Sequence, residues 1–169
     1  MTIADLRSLF LDGERQLNRL VLAVAATMLV VASAAGLYQV FSRFVLQIPA
    51  HWSEPLVKVT LIWMVYLGLM SAARSGSMIA VDFLFELTSG RLRLVMRTMI
   101  TIAMLIVFAV LIYHGWRAVY LVRNQTIAGL GVSASWVYSA IPLGAGFAAL
   151  AVIAQFLDPP AAKSGAEIP

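Results

Sequence analysis

The chain has 169 residues, of which 62% are hydrophobic and only 12% charged, with a mean hydropathy of +0.91; soluble domains carry about 25% charged residues, so this is an integral membrane composition. The absence of cysteine excludes disulfides, thiolate nucleophiles and cysteine-based metal sites. The net charge of +4 sits in short flanks between apolar runs, where it orients a membrane protein, and no basic face with interleaved aromatics exists to hold nucleic acid.

The first apolar run, residues 20–42, is long enough to cross a bilayer. "ASA" at residues 32–34 resembles a signal-peptide cleavage site, but Asp5, Asp12 and Glu14 make a poor leader ahead of it, and the run is expected to be an uncleaved anchor. "HWSEPLVK" (51–58) opens the second span, residues 56–74. Ser53 suits the helix cap and Pro55 the first turn. Glu54 precedes Lys58 by four, the favourable order for a helical ion pair, which either stabilises the helix locally or leaves Glu54 to meet a basic residue of a partner.

"GSMIAVDFLFELTSGR" (76–91) is too apolar for a loop and too short to span. As a helix over residues 78–88 it places Asp82 and Glu86 about 40° apart on one polar edge, with Ile79, Phe83, Leu84 and Leu87 on a broad apolar flank. That pattern predicts a helix lying at the membrane surface, either a plain connector or a platform bracing a partner. The third span covers residues 97–117. "AGLGVSAS" (128–135) reads as a loop, and the fourth span, residues 135–157, is expected to begin near Trp136 with Ser133 or Ser135 as cap and with Pro142 breaking one backbone bond. Along it, Ala140, Gly144, Ala148 and Ala151 form a small-residue ridge that suits close helix approach, inside the chain or toward another subunit. Gly68 and Ala72 make a shorter ridge in the second span.

The expected fold is therefore a single all-α membrane domain over residues 1–169, with four transmembrane helices, a short interfacial helix between the second and third, and a short disordered tail at 158–169. Eight of the twelve Lys and Arg residues fall with the termini and the second connection, which places both termini in the cytoplasm. Trp52, Trp116 and Trp136 mark span ends on the opposite side, whereas Trp63 lies within a span. The uncharged cores hold no Asp, Glu, Lys or Arg, which argues against an autonomous proton-coupled pump. His114 alone cannot supply two axial haem ligands, and no metal-ligand cluster, intramembrane carboxylate pair or Gly-rich phosphate loop points to an enzyme. Smooth packing surfaces without conduction machinery suggest a protein that helps another membrane protein.

In order and spacing these positions resemble the small, DctQ-like membrane subunit of TRAP (tripartite ATP-independent periplasmic) transporters. Trp52 and Glu54 stand at the second-span entrance, Trp63 and Gly68 in its core, "RSGSMIAVD" (74–82) at its exit, and "SWVYSAIPLG" (135–144) in the fourth span. Two positions depart from the family pattern: Met78 stands where many relatives have histidine, and Pro55 where a second acidic residue is common. The resemblance implies a scaffold subunit in a bacterial inner membrane, in contact with lipid. Its partners would be a large membrane subunit that moves an organic acid by a sodium-coupled elevator motion, and a periplasmic binding protein. No cofactor is implied in this chain; sodium ions belong on the large subunit. Candidate contact or bracing residues are Trp52, Glu54, Lys58, Arg74, Asp82, Glu86, Gly144 and Ala148. Two rivals are a self-sufficient small multidrug-type exporter, which lacks its acidic residue in the first span here, and a haem-anchoring subunit of a respiratory complex, which a visible absorption spectrum would reveal.

Overall fold

A computed structural model describes residues 3–75 and 91–158. The expected interfacial helix at 78–88, with Asp82 and Glu86, and the tail from 159 onward lie outside the described residues. Among those described, the chain is helical: α1 (Ile3–Phe41), α2 (Ser53–Ser75), α3 (Arg91–Leu121), a short α4 (Ala134–Tyr138) and α5 (Ala140–Leu157). The four segments long and apolar enough to cross a membrane are Leu9–Leu46, Ser53–Arg74, Leu94–Leu121 and Ala134–Leu157. The chain is thus a four-span, multi-pass membrane protein.

The first helix is far longer than its apolar run. Its 39 residues reach about 58 Å, roughly twice the hydrocarbon thickness, so the segment before residue 20 is helical rather than a plain flank. The reason is a seam. Leu11, Glu14, Val21, Ala25, Ala32, Ala35 and Ser42 are buried at spacings of three, four and seven residues, one continuous face of a helix packed along a neighbour. Helix α1 closes in a π-helical turn, Ser42–Leu46, followed by Gln47 in the left-handed region at φ 55°. The Ser42 hydroxyl donates to the Ile48 carbonyl across that turn.

The spans are not arranged in chain order. Helix α1 packs on α2, α2 on α5, and α5 on α3, so the last span lies between the second and the third. It is the most buried of the four spans, and α3 is the least. Val21 and Ala25 of α1, Leu67 and Met70 of α2, Phe108 of α3 and Ala145, Ala148 and Val152 of α5 join in one core. Because α1 and α3 start, and α2 and α5 finish, at the same end of the layer, their charged ends meet there.

At the opposite end, the loop after α3 folds back on itself through Thr126 and Ser133. Gly129, at φ 90°, lies so close to the turn before α2 that a Cβ would stand 2.6 Å from the His51 carbonyl oxygen. The Ser133 hydroxyl caps α4 by accepting from the Ser135 N–H, as its sequence position suggests. Pro142 has no N–H to give the Tyr138 carbonyl, and the helix breaks there into α4 and α5 at Ser139. The Ser139 hydroxyl donates to the Trp136 carbonyl at 2.7 Å and eases the break.

Candidate functional site

The small-residue ridge of α5 is used inside the chain. Ala140, Ala148 and Ala151 are fully buried, and a Cβ on Gly144 would stand 2.4 Å from the Tyr66 carbonyl oxygen and 2.6 Å from the Tyr66 Cβ. Gly144 and Ala148 are thus part of the α2–α5 seam, which is the intramolecular use of the ridge and not an outward-facing contact surface. Gly68, by contrast, faces open space.

The entrance of α2 holds three of the candidates. Trp52 stacks on Tyr38, with ring centroids 5.4 Å apart, tying the α1–α2 turn to the end of α1. Lys58 Nζ donates to Glu54 Oε1 at 2.7 Å, with both side chains well exposed. An exposed pair of this kind is screened by solvent and contributes little to stability. Glu54 is therefore paired within the chain and stands open at its surface. Trp63, the tryptophan inside a span, meets Trp136 edge-on at 5.5 Å.

Arg74 is the candidate with the richest surroundings. Its Nε donates to Glu14 Oε2 at 3.0 Å, its Nη2 to Asp158 Oδ2 at 3.2 Å, and its Nη1 to the Asp158 carbonyl at 3.1 Å. Arg15, also paired with Asp12 at 3.8 Å, reaches the same Asp158 oxygen at 2.9 Å. The side chains of Arg74 and Glu14 are 14% and 3% exposed, so this is a buried ion pair and not a surface one.

The cluster solves a problem set by α5. A helix ends with four carbonyls that have no partner in the helix, carrying the negative end of its dipole. Here Ala154 accepts from the Asp158 N–H at 2.9 Å, Gln155 and Phe156 accept from Arg97 at 2.7 Å each, and Leu157 accepts from Arg7. Arg97 also lies 5.1 Å above the Phe156 ring. Arginines from α1, α2 and α3 thus converge on the last turn of α5 and join all four spans at one end.

Glu14, Arg15, Arg97 and Asp158 were not among the residues singled out from the sequence. A signal was available: Leu11, Glu14, Val21 and Ala25 share one helical face, so Glu14 occupies an apolar slot of the α1 seam. Asp158, the second acid that Arg74 holds, sits in what looked like a plain tail. The Arg15 hydrogen bond holds the Asp158 carboxyl below its ordinary value of 3.8, with Arg74 adding to the effect. A carboxylate lowered in the folded state contributes stability above its unfolded value and loses it as pH falls through the folded one. The contribution of Asp158 to the thermal midpoint is accordingly expected to be full above pH 3.8 and to be lost as pH falls through the lower folded-state value, and Asp158→Asn should shrink the acid-side fall in a pH series of melting curves. Among the described residues there is no group of three or more His, Asp or Glu side chains placed to hold a metal ion.

The family model described as tripartite ATP-independent periplasmic transporters, DctQ component, matches residues 32–159. The matched stretch contains Arg74, Arg97 and Asp158 but not Glu14 or Arg15. Over 129 residues the chain is 25% identical to the sialic acid TRAP transporter permease protein SiaT of Haemophilus influenzae, covering 76% of this chain and 21% of that protein. Over 110 residues it is 26% identical to the sialic acid TRAP transporter small permease protein SiaQ of Vibrio cholerae, covering 65% of this chain and 64% of that protein. The chain therefore spans about a fifth of the first relative and just under two thirds of the second.

Proposed function

The chain belongs to the DctQ component family of tripartite ATP-independent periplasmic transporters, and from that premise we propose that it is the small scaffold subunit of a sodium-coupled, binding-protein-dependent importer of an organic acid. In this reading it moves no substrate itself and catalyses no reaction. It braces a large membrane subunit, which carries the sodium and substrate sites, and it lies beside the docking place of a periplasmic binding protein. Both termini, and with them the arginine cluster, lie on the cytoplasmic side of the inner membrane, as the Lys and Arg distribution suggests. The substrate class, a sugar acid such as sialic acid, comes from the names of the two relatives.

The observation that supports the scaffold role best is how the chain spends its buried charge. The Glu14–Arg74 pair and the arginines on α5 are engaged in fastening spans to one another at one end of the layer. The core itself is alanine, valine, leucine, methionine and phenylalanine. A conduction path needs polar or ionisable groups at membrane depth, facing a cavity. This interior is packed for rigidity instead.

Reconstitution tests the reading. Proteoliposomes holding the chain alone are expected to take up no labelled sialic acid under an inward sodium gradient. Adding the large subunit and the binding protein should establish uptake, and omitting the small chain should abolish it. Uptake by the chain alone would refute the scaffold role.

A further inference from the structure

Helix α3 carries an exposed stripe whose chemistry changes along its length. Ile106, Val110 and Tyr113 stand at intervals of four and three residues, and Arg117 and Tyr120 continue the same face toward the end away from the arginine cluster. Trp116 borders it, also exposed. The opposite side of the helix faces α5, where a Cβ on Gly115 would come within 3.0 Å of Ile141 and Pro142. Just past the helix end, Arg123 turns back so that its guanidinium lies 4.2 Å from the Tyr120 ring centroid. A second cation is thereby brought back to the stripe at Tyr120, three residues beyond Arg117.

Among the described residues no acid answers these two positive charges. The only acidic residue in the chain between 42 and 58 or between 113 and 139 is Glu54, and it is bonded to Lys58. The stripe therefore runs from aliphatic through aromatic to cationic, in the order of an acyl chain, an interfacial region and a phosphate. From Ile106 to Tyr120 the helix rises about 21 Å, close to the depth from inside one leaflet to its headgroups. An acidic protein segment would satisfy the arginines but would have no use for the aliphatic run below them.

We propose that this stripe is a binding site for one anionic phospholipid, with its phosphate between Arg117 and Arg123, its glycerol region against Trp116 and Tyr120, and an acyl chain along Tyr113, Val110 and Ile106. Aromatic rings favour the interfacial depth, and each basic group near a charged headgroup contributes about 1 kcal/mol. The site does not depend on the transporter reading, since it rests on α3 alone.

The test is native mass spectrometry of the full chain titrated with phosphatidylglycerol or with phosphatidylcholine. Wild type is expected to bind phosphatidylglycerol more tightly, and Arg117→Gln and Arg123→Gln should each weaken that binding by about five-fold. Phosphatidylcholine binding and the thermal midpoint should stay unchanged, because both arginines are exposed and, among the described residues, neither side chain is bonded to another helix. Equal phosphatidylglycerol affinity in wild type and the double variant would overturn the proposal. So would a structure of the chain with its partner in which Arg117 meets an acidic protein side chain in place of a lipid.

Discussion

Arg74→Met is expected to lower the stability of the folded chain by about 3–5 kcal/mol, the usual cost of stripping the partner from a buried ion. The Glu14 side chain is 3% exposed, so without Arg74 its charge has neither water nor a counter-ion beside it. Methionine keeps much of the stem's volume, so the loss comes from charge and not from a cavity. Asp158 would still hold Arg15 at 2.9 Å, so the α1 tie to the end of α5 remains while the bonds of Arg74 to Glu14 and to Asp158 are lost. A second variant separates this account from a general sensitivity at the position. In Glu14→Leu/Arg74→Met the buried charge is gone from both sides, and replacing a buried pair by apolar residues is often close to neutral. The double variant should therefore melt well above Arg74→Met. Thermal unfolding in a mild detergent reads both, and a double variant as unstable as the single one would sink the buried-charge account.

Gly144→Ala is expected to cost about 1–3 kcal/mol by overpacking, although alanine is ordinarily the better helix former. The added methyl would meet the Tyr66 carbonyl oxygen at 2.4 Å, and that atom belongs to the backbone of α2 and cannot rotate away. Helices α2 and α5 must therefore separate, and the seam joining the α1–α2 pair to α3 opens with them. Gly68→Ala and Gly146→Ala serve as controls, because nothing lies within 4 Å of a Cβ at either position. Both are expected to be neutral or stabilising by up to about 1 kcal/mol. If all three substitutions have the same effect, the close approach at Gly144 is not what sets the helix spacing.

The parts of the fold legible in the sequence are those written in local chemistry. The four spans followed from length and hydropathy, the loop before the last span from its glycines, and the α4 cap from the serines at 133 and 135, of which Ser133 is the one used. The pairing of Lys58 with Glu54 followed from i, i+4 spacing. The order α1–α2–α5–α3 was not legible, because helices that are apolar on every side carry little periodic signal about which face meets protein and which meets lipid. The buried Glu14 escaped because the polar stretch around Asp12, Arg15 and Arg19 looked like a solvated flank. Only the neighbouring helices explain why one carboxylate of that stretch is enclosed. Of the proposed contact residues, Arg74, Gly144 and Ala148 are committed inside the chain, whereas Trp52, Glu54 and Lys58 remain at its surface.

This division of labour bears on the scaffold role. A rigid partner for a moving subunit needs its own helices fixed to each other, and here arginines from three spans grip the last turn of the fourth. The central claim is that the chain works only as part of a larger membrane assembly. Its most direct test is a mild-detergent pull-down of the tagged chain from its native membranes, with mass spectrometry of the proteins that accompany it. The account predicts a large, many-span membrane protein recovered in near-equal amount. Recovery of the chain by itself, or only as copies of itself, would contradict it.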